Sequence, residues 1–319
     1  MSEAKDSRLS NSKYSVYAVI FGADDSILNI TLKDGFCFKR VSLIPRVGKL
    51  DKIFDATDFG LRRDYETARV DQNTLDVICA VKENSFTQDS LPLHERFETD
   101  VDHDLVSLDN QLRILRLIKE GPVRFKKIAF RQDIEYFDDG LVRHGSYGDI
   151  VPVGEAMVTK SISQFHCDEN EIAYINKQIQ ELSFPLNDSL LNAVHKYYDL
   201  SYHVEHCVAV TLLMTALEMM FLDREEGQKQ RKLSKRCAAY LYEGNNPQIR
   251  AENNILFTLY NKRSTFVHEG NETSITDNNI ITLREYVRKS LLMALTQTES
   301  KQQRIDRLKN YITVNRSKW

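Results

Sequence analysis

The chain has 319 residues, of which 42% are hydrophobic and 28% charged, the make-up of a soluble globular protein. That length accommodates two ordinary domains or one large one. A formal net charge of -3 argues against a chain that is basic over its whole surface, though it leaves room for a local basic patch. The most apolar stretch, Val208 to Leu222, carries Glu218 and several Thr and Met residues, so it is too short and too polar for a membrane span. The first residues, MSEAKDSRLS, contain acids and no apolar run, which reads as no secretory signal. Five cysteines (Cys37, Cys79, Cys167, Cys207 and Cys237) are scattered without repeated spacing, a pattern that points to reduced thiols and a cytoplasmic setting.

Up to about Ile150 the ordered pieces read mainly as strands. Tyr14 to Phe21 is rich in β-branched and aromatic residues, and Gly22-Ala23-Asp24-Asp25 follows it as a turn. Ser26 to Leu32 alternates apolar and polar residues apart from Ile27, and Asp34-Gly35 separates it from a further strand over Phe36 to Ile44. Leu75 to Val81 and Val123 to Phe130 are further strand candidates. Between them lies one helix, marked by Leu112, Leu115 and Ile118 with Ile114 and Leu117, and stopped by Gly121-Pro122. The acidic, aperiodic stretch from Lys82 to Asp109 reads as a long loop, and the Gly- and Asp-rich stretch from Asp138 to Gly154 as a rim or domain boundary. There is no internal repeat at a solenoid or propeller period.

From Asp168 the pattern turns helical. Asp168 is an N-cap for a helix with Ile172, Ile175, Ile179 and Leu182 on one face, stopped by Pro185. Asn187 or Asp188 caps the next, which carries Leu190, Leu191, Val194 and Tyr198. A third, from about His203 to Leu222, is apolar nearly all round and belongs at the centre of a core. Others are expected from about Gln230 to Tyr242, from Pro247 to near Val267, from Asp277 to Leu295, and from Lys301 to Ile312. Such a series is a helical bundle. The expected fold class is α+β, with a strand-rich mixed domain over residues 1–160 and an all-α bundle over 161–319.

Within the bundle, Leu259-Tyr260-Asn261-Lys262-Arg263-Ser264-Thr265-Phe266-Val267-His268-Glu269-Gly270 resembles the R-x4-H signature of HEPN domains, specifically their Apea-like branch. Ala216-Leu217-Glu218 is similar to the Ala-Leu-Glu helix of that branch, and Leu233 to Leu241, with Arg236 and Ala238-Ala239, to its next helix. The resemblance covers roughly residues 168–300. It implies an endoribonuclease that needs no metal and no cofactor and acts across a homodimer, in a toxin or an anti-phage defence effector. The residue types suit that chemistry. Cleaving RNA by 2'-OH attack requires a proton taken from that hydroxyl and another given to the 5'-oxygen, and histidine does either near neutral pH. Arginine's fork of donors suits the charge that gathers on the phosphorane-like oxygens. Five residues along a regular helix amount to about 140° of rotation, so Arg263 and His268 share a face only if the helix ends or distorts between them. Gly270 is the expected stop.

An Arg–His pair with looser spacing, Arg96 and His103, falls in the presumed loop and is set aside for lack of helical context. Ser264 either supports Arg263 or substrate by a hydrogen bond or is a solvated helix serine. Glu218, within an apolar helix, needs a partner, and Arg263 or Arg236 is the expected one, in a supporting rather than a general-base role. The run Lys229, Arg231, Lys232, Lys235 and Arg236 is the densest basic segment. It reads equally as an RNA-phosphate grip or as a solvated face balanced by Asp223, Glu225 and Glu226. His195, His203 and His206 beside Cys207 lack the tight ligand pairs of a zinc site, so capping or packing roles are expected and no metal is assigned. The favoured function is therefore a dimeric ribonuclease whose first domain senses a trigger or takes a regulatory partner. The alternative is a non-catalytic HEPN module that binds RNA, nucleotide or protein.

Overall fold

The computed structural model describes residues 9–43, 69–71, 74–86, 93–138, 141–152, 164–270 and 275–315. The chain is α+β and divides into two compact units, one over Met1–Ala156 and Ser163–Ser183, the other over Met157–Ile162 and Phe184–Trp319.

The first unit is built on a six-stranded sheet made of β1 (Leu9–Phe21), β2 (Phe36–Leu43), β3 (Arg69–Asp71), β4 (Thr74–Phe86), β5 (Arg124–Asp138) and β6 (Leu141–Pro152). The order is β2-β4-β1-β5-β6, with every pairing antiparallel. β3 also pairs with β4. Leu75 and Asp76 meet β2 on one side and β3 on the other, so β3 continues the line of β1. β4 and β5 flank β1 and run antiparallel to it, hence parallel to each other, which demands a crossover between them. Helix α1 (Leu93–Ile118) is that crossover. Side chains of both parities along β1 are buried: Tyr14, Val16, Ala18 and Ile20 on one face, Ser15, Val19 and Phe21 on the other.

Three sequence expectations change here. Ser26 to Leu32 does not form a strand: Asp25–Asn29 is a 3-10 turn, because the Asp24 side chain caps it by accepting from the Ser26 amide. Asp34 and Gly35, at φ 56 and 80, then make the expected tight turn into β2. The presumed loop from Lys82 to Asp109 holds the end of β4 and much of α1. The buried stripe of α1 runs Val101, Asp104, Leu108, Gln111, Leu112 and Leu115, and two polar members hide its period. Asp104 is tolerated at 1% exposure because Lys82 of β4 donates to it at 2.6 Å. The Gly- and Asp-rich stretch from Asp138 to Gly154 is mostly β6, an end strand of the sheet, whose backbone ladder with β5 needs no apolar side chains.

Helix α2 (Glu169–Glu181) starts at Asp168 in a full capping box with Glu171, as the sequence suggests. It belongs to the sheet unit, which takes in Ser163–Ser183 beyond the expected boundary at 160. Phe165 is the anchor: wholly buried, it donates its amide to the Gly22 carbonyl at 2.8 Å and accepts from the Asp24 amide at 3.1 Å. Lys119 pairs with Glu171, Asn176 accepts from the Thr31 amide at 2.8 Å, and Lys33 reaches the Leu182 carbonyl at 2.9 Å. None of these partners is near in sequence.

The second unit comprises α3 (Ser189–Leu200), α4 (His206–Phe221), α5 (Lys229–Leu241), α6 (Asn246–Glu269), α7 (Asp277–Thr296) and α8 (Lys301–Val314). Asp188 caps α3 through the Leu191 amide. α4 is the central helix, with Ala209, Val210, Leu213, Met214, Ala216, Leu217 and Met220 among its buried residues, and it packs against α3, α5, α6, α7 and α8. Among the described residues no helix is long and apolar enough to cross a membrane.

Candidate functional site

α6 carries the Arg–His motif. Asn245 caps it through the Gln248 amide, Pro247 sits in the first turn, and Ile249, Leu256 and Leu259 are its buried residues. Beyond Leu259 no residue of the helix is buried. The last turns thus extend past the core, and Gly270, at φ 65 in the left-handed region, closes the helix with its amide on the Phe266 carbonyl. A Cβ at Gly270 would meet nothing within 4 Å, so the backbone conformation alone calls for glycine.

The helix does not end between Arg263 and His268; it runs on through Glu269. The two side chains therefore leave the axis about 140° apart and about 7.5 Å along it. Arg263 is half-buried and its guanidinium lies over the Tyr260 ring, Cζ to ring centre 5.8 Å. Its Nε is buried and has no hydrogen-bond partner among the described residues. His268 is exposed in the last turn. Ser264 is half-buried and makes no hydrogen bond to Arg263 among the described residues.

Glu218 of α4 does not take an arginine as its partner. Burial first, and the Glu218 carboxylate second, push the pKa of the Tyr260 hydroxyl up to about 12. Arg236 is held elsewhere. At 3% exposure it donates to the Phe221 carbonyl at 2.8 Å and to both oxygens of Glu226 at 2.6 Å, fastening the end of α4 to α5. These bonds hold the Glu226 carboxyl down at about 2.

The basic segment opens α5 and divides by exposure. Lys229 and Arg231 are exposed, whereas Lys232 pairs with Glu226 at 3.0 Å and Lys235 is half-buried. Gln230 binds the Phe257 carbonyl at 3.0 Å and the Asn261 side chain, so the first turn of α5 lies beside the part of α6 that leads into Arg263. Lys262 reaches Asn279, in the first turn of α7, at 3.0 Å.

His195 is buried and stacked on Phe184 at 3.9 Å, and His206 pairs with Asp277 at 2.9 Å. Among the described residues no three of His, Cys, Asp or Glu are grouped to hold a metal ion. All five cysteines are free, and burial pushes the Cys79 and Cys237 thiols up to about 12. Arg96 and His103 both lie on α1, so lack of helical context does not dismiss that pair; what separates it from Arg263 and His268 is its place in the sheet unit.

Sequence reasoning missed the contact of Tyr260 with Arg263, and took Glu226 only as a charge balancing the basic run. Tyr260 was within reach, because residues three apart on a helix share a face. The bidentate bond of Glu226 to Arg236 was not, since it depends on how the connection between α4 and α5 folds back. The chain matches no protein-family model, no curated protein and no solved structure.

Proposed function

We propose that the helical unit is a metal-independent endoribonuclease of the HEPN type, working in the cytoplasm as a pair of chains. The observation that carries this reading is the end of α6, where Arg263 has no carboxylate partner among the described residues and His268 is open to solvent. In the reaction the 2'-oxygen of RNA attacks the adjacent phosphorus and the 5'-oxygen leaves. Histidine takes the proton from the 2'-hydroxyl, a second proton goes to the departing oxygen, and the products are a 2',3'-cyclic phosphate and a 5'-hydroxyl. Arg263 stabilises the charge on the non-bridging oxygens. Each chain brings one histidine in this motif, and the two side chains of one α6 diverge. A second copy supplies the other proton carrier and brings each Arg263 near a His268. Lys229 and Arg231 contact the RNA backbone beside the site. The sheet unit then restrains or triggers the nuclease, as in a toxin or an anti-phage effector.

Substituting His268→Ala or Arg263→Ala should each lower RNA cleavage by about 10²- to 10⁴-fold, the range for groups that move protons or meet transition-state charge. Both variants should fold, since neither residue is a core position. Cleavage should survive chelation, and an RNA with 2'-deoxyribose at the scissile position should resist. His268→Ala cleaving at the wild-type rate would replace this reading with that of a non-catalytic module binding RNA, nucleotide or protein.

A further inference from the structure

On α6, Phe257, Asn261 and His268 lie within about 40° of one another around the axis, with Phe257 about 16 Å before His268 along it. All three are exposed, the Phe257 ring at 39%. Gln230 of α5 reaches this face, where its amide nitrogen donates to the Phe257 carbonyl at 3.0 Å and to the Asn261 side-chain oxygen. That contact orients both amides. A carbonyl only accepts, so it holds the Gln230 NH2 group toward α6, and the same group turns the Asn261 oxygen toward Gln230. What remains is the Asn261 NH2 group and the Gln230 side-chain oxygen, neither with a further hydrogen-bond partner among the described residues. A donor and an acceptor on adjacent amides suit the edge of a nucleobase, which presents the same two kinds of group. Lys229 and Arg231 flank Gln230 in the chain, are exposed, and pair with no carboxylate among the described residues.

Resting on the ribonuclease reading above, we propose that this face of α6 is a subsite for one unstacked base of a single-stranded RNA substrate. The base lies against the Phe257 ring, Asn261 and Gln230 bond its edge, and Lys229 and Arg231 meet the phosphates beside it. Because His268 lies farther along the same face, a strand that seats a base at Phe257 runs on toward the histidine. A base within a duplex cannot enter, since its faces are covered by its neighbours and its edge by its complement. The substrate class is therefore single-stranded RNA, cut at a fixed distance from the seated base.

The test uses the full chain as wild type, Phe257→Ala, Phe257→Trp and Asn261→Ala, each checked for folding by its unfolding midpoint and for assembly by sedimentation. Phe257→Ala keeps the backbone carbonyl that holds Gln230, so only the ring is removed. Binding is read with a 2'-O-methyl oligonucleotide, which cannot be cleaved: single-stranded, annealed to its complement, and with one abasic position moved along it. The RNA form gives kcat/KM. Phe257→Ala should weaken single-strand binding and lower kcat/KM by about 5- to 150-fold, the range for one stacked base. Asn261→Ala should do so by about 2- to 10-fold, the range for one neutral hydrogen bond. Phe257→Trp should bind as wild type, and wild type and Phe257→Ala should bind the duplex alike. At one abasic position the wild type should fall to the affinity of Phe257→Ala, which itself should lose nothing further. Phe257→Ala binding the single strand as wild type does, or no abasic position behaving in that way, overturns the subsite. So does a wild-type dimer that Phe257→Ala converts to monomer, since the face then belongs to a second copy. If wild type and Phe257→Ala cleave RNA equally well, the ribonuclease reading stands without the subsite. If the wild type binds as expected but cleaves no RNA, the subsite stands and the ribonuclease reading fails.

Discussion

Glu226 accepts three short bonds from side chains, two from Arg236 and one from Lys232. Folded, it therefore holds its proton more weakly than in the unfolded chain, with a pKa of about 2 against an ordinary 4.5. A carboxyl whose pKa is lowered by folding contributes stability above its unfolded pKa and loses it as pH falls toward the folded one. Stability of the helical unit should thus decline from about pH 4.5 toward about pH 2, and Glu226→Gln should flatten that part of a pH series of unfolding midpoints. Removing the cation instead leaves a nearly buried carboxylate without its main partner. Arg236→Ala should destabilise the unit by about 3 kcal/mol in denaturant titrations. The structure thus assigns Arg236 to holding α4 and α5 together, where its type and place in the sequence suggested support for the site. A variant that unfolds at the wild-type denaturant concentration would argue against that assignment.

Among the elements, α6 carries the Arg–His motif at its terminus. The histidine lies two residues from a glycine at φ 65, so the conformation of Gly270 decides whether the last turn is closed or frayed. Gly270→Ala should cost about 1 kcal/mol, the usual penalty for a β-carbon in the left-handed region. Because the frayed turn is the one that bears His268, RNA cleavage should fall by more than the loss of folded protein explains. Gly270→Asn should be milder, since asparagine tolerates this conformation. Activity per folded molecule unchanged in Gly270→Ala would mean that the last turn has no part in placing His268. α1 gives the opposite lesson, of a helix whose buried stripe includes a polar residue. Its first half was read as a loop because Asp104 occupies a core position, which the bond from Lys82 of β4 makes acceptable.

At the scale of the molecule the two units differ in what the ribonuclease reading asks of them. The helical unit brings one histidine in this motif and a divergent Arg–His pair, so the proposed chemistry needs two copies. Full-length protein at micromolar concentration should sediment as a dimer, and RNA should not reduce it to monomer. A monomer under both conditions would remove the partner that the mechanism requires. The sheet unit reaches to Ser183 through Phe165 and α2, so a truncation at the boundary suggested by composition, near residue 160, would strip the sheet unit of its buried anchor and its capped helix.

What the sequence by itself determined is local: α2 and the helices of the second unit, whose apolar stripes repeat every three to four residues, and the caps at Asp168 and Asp188. Gly270 as the stop of α6 and most strands of the sheet belong there too. Each follows from residues a few positions apart, and the spacing carries the physics. The tertiary structure decided where a partner lies far along the chain. Asp104 found Lys82, Arg236 found Glu226, and Phe165 found the end of β1. A buried polar group is satisfied by whatever donor the fold brings within about 3 Å, and no spacing in the sequence records that distance.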